Sequence, residues 1–213
     1  MRTTVHGHTI GLTGNIACGK SSVARRLAEH GASIIDADLV AHALMQPELP
    51  AWQAVVKTFG RGVLAEDGTI DRARLRDIVF SDPEALKRLN AAVHPHVHVE
   101  LLRQVQLLRH GQVAVIEAVA LVEAGTHRDL DALWLVLCPP EQQIARLVRT
   151  RHLSPEDATW RVAAQPPAEA KVALADVVIH NDGDWATLML ATDNAWQATL
   201  ARWGRRAEEV ESG

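Results

Sequence analysis

One short segment has the residue types and the spacing that can hold a chain of phosphates. Two glycines flank four other residues, and a lysine and two serines follow, in the order Gly14-Asn15-Ile16-Ala17-Cys18-Gly19-Lys20-Ser21-Ser22. Glycines let successive backbone N–H groups curl around phosphate oxygens at the start of a helix. The lysine can reach the outer phosphates, and the Ser21 hydroxyl can bind a bridging Mg²⁺. The segment predicts a site for ATP and Mg²⁺; the alternative is a tight turn into a helix.

Two aspartates, Asp36 and Asp38, follow the second apolar run of the chain. The carboxyl end of a parallel strand opens onto the ligand crevice of such a sheet. A carboxylate there can accept a proton from an attacking hydroxyl or hold a metal-bound water. Capping of a helix N-terminus by either aspartate is the alternative. The residues alone leave both interpretations open.

Charged side chains farther along are candidates for the same site. Arg146 and Arg149 stand three positions apart, which places them on one face of a helix, where they could meet phosphoryl charge or simply face solvent. Glu117 ends an apolar run, and a buried unpaired carboxylate is costly, so we expect it at a strand end near a cation or ligand. A structural cap is an equal alternative for Glu117. The alternating histidines at 94, 96 and 98 diverge on a helix, so no metal site is expected there.

Short apolar runs alternate with longer helical patterns, which predicts an α/β fold with a five-stranded parallel sheet flanked by helices. The predicted strands cover residues 8–13, 33–36, 113–117, 133–138 and 177–180. The phosphate loop lies between the first strand and a helix over 20–30 that Gly31 closes. The elements therefore predict that the loop faces the carboxyl edge of the sheet.

Two segments are too long to be simple connections between strands. We expect a helical insertion over about 39–110, with one helix that begins at Ser81-Asp82-Pro83-Glu84 and ends near His94-Pro95. A helical hairpin over about 140–172, with helices opening at Pro140 and Ser154, is expected to act as a lid. One domain over 1–206, a helix from Asp184 onward and a frayed tail over 207–213 complete the expected organisation.

Composition excludes several classes of protein. With 213 residues, 47% of them hydrophobic, the chain can bury one sizeable core, and a net charge of −4 argues against binding to nucleic acid. Two cysteines fit a reducing compartment, so we expect a cytoplasmic protein. The most apolar run, residues 113–122, is interrupted by Glu117, so no contact with a membrane is expected. We expect a monomer or a weak homo-oligomer that acts on a small molecule.

From about Thr9 to Gly183 the chain resembles the dephospho-CoA kinase family. The matching segments follow one another in the family's order, which is more specific than any one of them. They are Gly11-Leu12-Thr13-Gly14, Ile35-Asp36-Ala37-Asp38, Phe59-Gly60, Asp67-Gly68, Leu75 through Phe80, Asp82-Pro83, Leu89-Asn90, His94-Pro95, Leu121, Glu123-Ala124-Gly125, Arg146-Leu147, Ala163-Ala164-Gln165, Ala175-Asp176-Val177-Val178-Ile179, Asn181 and Gly183.

The resemblance implies a P-loop kinase fold and transfer of the ATP γ-phosphoryl group to the ribose 3′-hydroxyl of dephospho-CoA. By this resemblance Asp38 is the expected base, and Arg146 is the lid arginine that stabilises phosphoryl charge. Thr13 and the helical insertion around His94 are expected to face the acceptor, together with Glu117. Asn181 is expected beside the adenine of ATP. Ser21 and Asp36 are the expected metal ligands.

Some positions depart from the family's pattern. Asn15 and Ala17 stand where the family usually has glycine, and Thr150 and His42 stand where it usually has arginine. Val119 replaces a usual proline, and Glu117 replaces a usual aspartate. These departures leave an inactive kinase as one alternative function. A kinase for a sugar or a nucleotide is another, although it should not show the ordered matches in the helical insertion. A nucleotide-dependent switch is the third, and the lack of an Asn/Thr-Lys-x-Asp segment speaks against it. Because Cys18 lies in the loop, we also expect thiol alkylation to inhibit and ATP to protect.

Overall fold

The computed structural model describes residues 7–109 and 111–211, which fall into two compact units. One unit takes in Ile35–His110 and is helical. The other combines His8–Ile34 with Gly111–Gly213 and carries the sheet with the remaining helices. The insertion expected over 39–110 falls within the helical unit. The expectation of one domain over 1–206 stays a prediction.

The sheet has five strands in the order β2-β3-β1-β4-β5. β1 pairs in parallel with β3 and β4, and β4 pairs in parallel with β5. This confirms the predicted five-stranded parallel sheet, and only the fourth strand differs from prediction, because it begins and ends one residue earlier. The strands are β1 (His8–Thr13), β2 (Ser33–Asp36), β3 (Val113–Glu117), β4 (Ala132–Leu137) and β5 (Val177–His180).

Two helices cover the core of the sheet unit. α1 (Lys20–Glu29) buries Val23 and Leu27, and it packs against α8 (Trp185–Glu211). The strands contribute fully buried side chains, Trp134 among them, because a parallel sheet covered by helices excludes water from both faces. Each such apolar side chain stabilises the fold by about 1.5–3 kcal/mol. This rigid frame holds the carboxyl ends of β1, β3 and β4 at fixed spacing.

Within the described residues the helical unit contains four helices, of which three begin after an aspartate cap and one begins at Pro50. Asp36, Asp71 and Asp82 each accept backbone N–H groups at the start of the helix that follows. The predicted helix start at residues 81–84 is confirmed, since Asp82 is the cap and Pro83 the first helical residue. The helices are α2 (Ala37–Leu44), α3 (Pro50–Phe59), α4 (Arg72–Ser81) and α5 (Pro83–Gln106), with a 3₁₀ turn over Arg61–Val63.

The predicted end of α5 near His94-Pro95 is wrong, because the helix runs through Pro95 to Gln106. A proline inside a helix costs about 3 kcal/mol, since it removes one hydrogen bond and crowds the preceding turn. The apolar residues around it recur every four positions, and Val93, Val97 and Leu101 are all buried. Their burial against α2 and α3 offsets the cost of the proline. Tertiary packing therefore overrides the local preference.

The predicted helical hairpin is present in the sheet unit as α6 (Pro140–Arg151) and α7 (Pro155–Ala163), which pack on each other. Ser154 caps α7 by accepting the N–H of Asp157 at 3.0 Å. Two 3₁₀ segments, Thr126–Asp129 and Ala168–Leu174, belong to the same unit. Movement of residues 140–172 as a lid stays a prediction. Fraying of 207–213 also stays a prediction, and residues 212 and 213 lie outside the described residues. No helix within the described residues is long and apolar enough to cross a membrane.

Candidate active site

The segment between β1 and α1 forms a tight loop that requires glycine at two points. Gly14 and Gly19 have φ angles of 149° and 102°. A Cβ on Gly14 would collide with the carbonyl oxygen of Val136 and the Cys18 sulfur, and one on Gly19 would collide with the side-chain amide of Asn181. Other residues at these positions would therefore push the loop off the end of β4 and off Asn181.

Ala17 adopts a left-handed conformation in the same loop. Its φ is 55°, a region that costs an L-residue roughly 1–2 kcal/mol. This is one of the two positions where the family usually has glycine, so the loop keeps its turn here at the cost of strain. Ser22, also expected to bind the nucleotide, lies in the first turn of α1, where its N–H donates to Gly19. The residues predicted to bind phosphate thus form one continuous segment, which consists of the loop and the first turn of α1.

The ammonium group of Lys20 is held against the inside of the loop. Its side chain is buried, and Nζ donates to the carbonyl oxygens of Gly14 at 3.0 Å and Asn15 at 3.3 Å. A buried ammonium needs such acceptors, because desolvation of an unpaired charge is costly. The contacts fix the charge beside the loop, as the predicted phosphate-binding role of Lys20 requires.

A hydroxyl and a carboxylate meet at the carboxyl ends of β1 and β3. Ser21 Oγ donates to Glu117 Oε1 at 2.8 Å. Glu117 reaches this place because Leu12 and Glu117 are partners in the register of β1 and β3. The contact places the Glu117 carboxylate on Ser21, while a role of Glu117 toward a ligand stays a prediction. Two hard oxygen ligands of this kind suit Mg²⁺, which keeps several waters and binds substrate phosphates besides one or two protein groups.

The guanidinium of Arg146 reaches across from α6 to the phosphate loop. Nη1 donates to the carbonyl oxygens of Ala17 and Cys18, both at 3.3 Å. Nη2 donates to the carbonyl oxygen of Asn181 at 3.3 Å and to its Oδ1 at 3.2 Å. A planar fork with five donors can make these contacts at once. Of the two arginines that share a face of α6, Arg146 is the one held at the loop, and Arg149 is exposed.

Asn181 completes this network from the end of β5. Its side chain is buried, and Nδ2 donates to the carbonyl oxygen of Cys18 at 2.7 Å. The amide therefore links the loop with Arg146. Its expected position beside the adenine of ATP stays a prediction.

Cys18 lies in the loop and Cys138 lies after β4, and both are buried. Burial raises the pKa of Cys18, and the Lys20 charge opposes that shift. Burial likewise raises the pKa of Cys138 to about 11, although the nearby Arg146 lowers it. Because the thiolate is the reactive form, both groups are poor nucleophiles at neutral pH. These surroundings oppose the expectation that Cys18 is readily alkylated.

Two contacts that the residue types did not predict join the loop to the segment after α7. Ile16 N–H donates to Gln165 Oε1 at 2.7 Å, and Asn15 Nδ2 donates to the carbonyl oxygen of Pro166 at 3.0 Å. The motif Ala163-Ala164-Gln165 was visible only through the family resemblance, and no spacing rule connects it with the loop. Asn15 is buried, so its replacement of a usual glycine adds a hydrogen bond to this segment.

Lys171 is a buried lysine that no sequence pattern predicted. Lys171 Nζ lies 2.9 Å from Glu123 Oε1 and donates to the carbonyl oxygen of Val119 at 3.2 Å. The Thr13 hydroxyl donates to the same carbonyl at 2.9 Å. These bonds hold the turn after β3, where valine replaces the family's usual proline. The predicted role of Thr13 toward the acceptor stays a prediction.

The remaining predicted site residues lie in the helical unit. Asp36 Oδ1 accepts the N–H groups of Asp38 at 2.9 Å and Leu39 at 3.0 Å, so Asp36 is the N-cap of α2. Asp38 lies exposed in the first turn of that helix. His94 is half-buried in α5, and desolvation lowers its pKa. The cap contacts occupy one oxygen of Asp36, whereas Glu117 is the carboxylate found on Ser21.

This arrangement defines a P-loop kinase. It combines a parallel sheet with a glycine loop between β1 and α1, and both a lysine and an arginine bind carbonyl oxygens of that loop. The sequence profile described as dephospho-CoA kinase matches residues 8–187. The chain belongs to the dephospho-CoA kinase family.

Individual proteins are similar to this chain over most of its length. A dephospho-CoA kinase of Syntrophus aciditrophicus is 42% identical over 196 residues, which cover 91% of this chain and 83% of that protein. A solved structure from Thermus thermophilus has a TM-score of 0.76 at 34% identity and covers 92% of this chain and 98% of its own. The dephospho-CoA kinase of Campylobacter jejuni has a TM-score of 0.59 at 27% identity, with 91% and 97% covered.

Proposed function

We propose that this chain transfers the γ-phosphoryl group of ATP to the ribose 3′-hydroxyl of dephospho-CoA, and so forms CoA. Members of the family phosphorylate dephospho-CoA with ATP in the last step of CoA biosynthesis. The observation that carries the proposal for this chain is the network in which Lys20 and Arg146 both bind carbonyl oxygens of the phosphate loop. Two cations held on the carbonyl oxygens of one loop suit the charge that develops on a phosphoryl group in transfer.

The donor is held by groups of the sheet unit. The N–H groups of the loop surround the phosphates, and Lys20 and Arg146 neutralise their outer oxygens. The Ser21 hydroxyl, which donates to Glu117, would hold a Mg²⁺ ion, and the ion would supply positive charge to the phosphates. Asp36 would contact the ion through a bound water, because one of its oxygens already caps α2.

The hydroxyl of the acceptor is activated by a carboxylate. Asp38 takes the proton of the attacking 3′-hydroxyl, a role suited to an exposed carboxylate in the first turn of α2. Thr13, His94 and Glu117 are the proposed acceptor contacts. We propose in addition that the protein is cytoplasmic and that it is a monomer or a weak homo-oligomer. The proposal includes no nucleic-acid partner and no membrane partner.

A coupled assay of ADP formation with ATP, Mg²⁺ and dephospho-CoA tests the proposal, with adenosine and shikimate as competing acceptors. We expect turnover with dephospho-CoA alone, and ³¹P spectra of the product should show a new 3′-phosphomonoester. The variant Lys20→Ala, which lacks the loop cation, serves as the negative control. Absence of turnover with dephospho-CoA, or phosphorylation at another position, would contradict the proposal.

A further inference from the structure

One peptide unit of the phosphate loop carries a hydrogen bond at each end. Its carbonyl oxygen, that of Asn15, accepts from Lys20 Nζ at 3.3 Å, and its N–H, that of Ile16, donates to Gln165 Oε1 at 2.7 Å. The lysine and the glutamine are thus joined through a single rigid, planar group. Hydrogen bonds in such a chain polarise one another, and they strengthen where solvent is excluded. Lys20 and Asn15 are buried, and Ile16 and Gln165 are half-buried, so solvent is excluded most completely at the lysine end of the chain.

From this arrangement we infer that Gln165 is a positioning residue, which orients the ammonium of Lys20 for the ATP phosphates by fixing the plane of the Asn15–Ile16 peptide. If the N–H lost its acceptor, the peptide could rotate and carry its carbonyl oxygen away from Nζ. The bond from Nζ to Gly14 at 3.0 Å would then hold the ammonium alone. A hydrogen bond from a charged donor is stronger than one between neutral groups. Loss of the bond from Lys20 Nζ to the Asn15 carbonyl oxygen would therefore leave the ammonium less well oriented.

The segment that carries Gln165 is itself held in place. Asn15 Nδ2 donates to the carbonyl oxygen of Pro166 at 3.0 Å, and the N–H of Gln165 donates to Val162 at the end of α7. Pro166 fixes its own backbone and restricts that of Gln165 before it. Little conformational freedom is therefore lost when Gln165 meets the loop. Asn15 stands where the family usually has glycine, and its side chain forms a hydrogen bond to Pro166 that glycine could not form.

A double-mutant cycle on ATP binding tests the inference, with Gln165→Met and Lys20→Ala as the two changes. Methionine keeps the length of the side chain and removes the acceptor. We expect Gln165→Met to raise the Kd for a non-hydrolysable ATP analogue about tenfold in the wild-type chain, and less than about twofold when Lys20 is already alanine. Equal effects in both backgrounds would mean that Gln165 only anchors its own segment, and this would overturn the inference.

Two further variants keep the result interpretable. Asn15→Ala removes the tie to Pro166, and we expect a smaller rise in Kd that also vanishes in the Lys20→Ala background; this cycle decides the question if Gln165→Met fails to fold. Gln106→Met makes the same chemical change at an exposed position of α5 and should leave the Kd unchanged. The inference rests on the proposed function, yet the readout is binding rather than transfer. Failure of the kinase assay and additivity in the cycle are therefore separate outcomes.

Discussion

Arg146 Nη2 lies 3.2 Å from Asn181 Oδ1, and the other end of the same amide donates to the carbonyl oxygen of Cys18 at 2.7 Å. The arginine is therefore oriented by the end of β5 as well as by the loop. A cation placed in advance needs little reorganisation when phosphoryl charge develops. The pair explains why Gly19 has no room for a side chain, since a Cβ there would meet the Asn181 amide.

Arg146→Ala should lower kcat about 10³-fold, the lower end of what a transfer arginine contributes. Arg146→Lys should recover only part of this loss, because a single ammonium cannot meet the two loop carbonyls and Asn181 together. Steady-state kinetics with saturating ATP measure both effects. Arg161→Ala, which removes an exposed cation from α7, should stay within about twofold of wild type. Full activity of the lysine variant would show that the forked geometry is not needed.

Asp38→Asn should lower kcat by about 10²-fold or more, since general-base catalysis contributes on that scale. The Kd for ATP should remain within about twofold, because asparagine keeps the shape of the side chain and removes only its basicity. Kinetics and calorimetric titration with ATP separate the two quantities. Asp77→Asn makes the same change at an exposed position of α4 and should retain wild-type kcat. A normal kcat in the Asp38 variant would remove it as the base.

Ala17→Gly should raise the free energy of unfolding by about 0.5–1 kcal/mol. Glycine relieves the strain of the left-handed conformation at φ 55°, and the greater entropy of its unfolded chain offsets part of the gain. Urea denaturation measures the change. Ala28→Gly, the same substitution at an exposed position in α1, should instead lower the free energy by about 1 kcal/mol. Changes of the same sign at both positions would argue against strain at Ala17.

The native protein should resist alkylation at pH 7. Cys18 is only 1% exposed and its pKa is raised by burial, while burial raises the pKa of Cys138 to about 11. Mass spectrometry after treatment with iodoacetamide should show both thiols labelled in urea and neither labelled promptly in buffer. Fast native labelling of Cys18 that ATP prevents would instead support the expectation drawn from sequence.

Stability should fall in acid partly through Asp193. Hydrogen bonds from Arg26 and then His30 hold the pKa of Asp193 well below its usual range. Because the folded-state pKa is depressed, this group stabilises the fold above about pH 4, the pKa of an unfolded aspartate, and the contribution is lost as pH falls below it. The Tm difference between wild type and Asp193→Asn should thus be larger at pH 7 than at pH 3. An unchanged difference would contradict the assignment.

The fold was largely predictable because its signals are local. A buried parallel strand appears as a short apolar run, and four of the five strands have the predicted bounds. Helix starts were visible at Asp82-Pro83 and at Ser154 because capping depends on neighbouring residues. The predicted end of α5 at Pro95 was wrong, because the contacts that stabilise this helix come from helices elsewhere in the chain.

The sequence by itself determined the phosphate loop, because glycine conformations and the positions of Lys20 and Ser21 depend on nine consecutive residues. Only the tertiary structure decided which distant side chains serve that loop. Ser21 and Glu117 are 96 residues apart, Cys18 and Arg146 are 128 apart, and Ile16 and Gln165 are 149 apart. Strand order and register bring such pairs within hydrogen-bond distance, and no local pattern of residues encodes that distance.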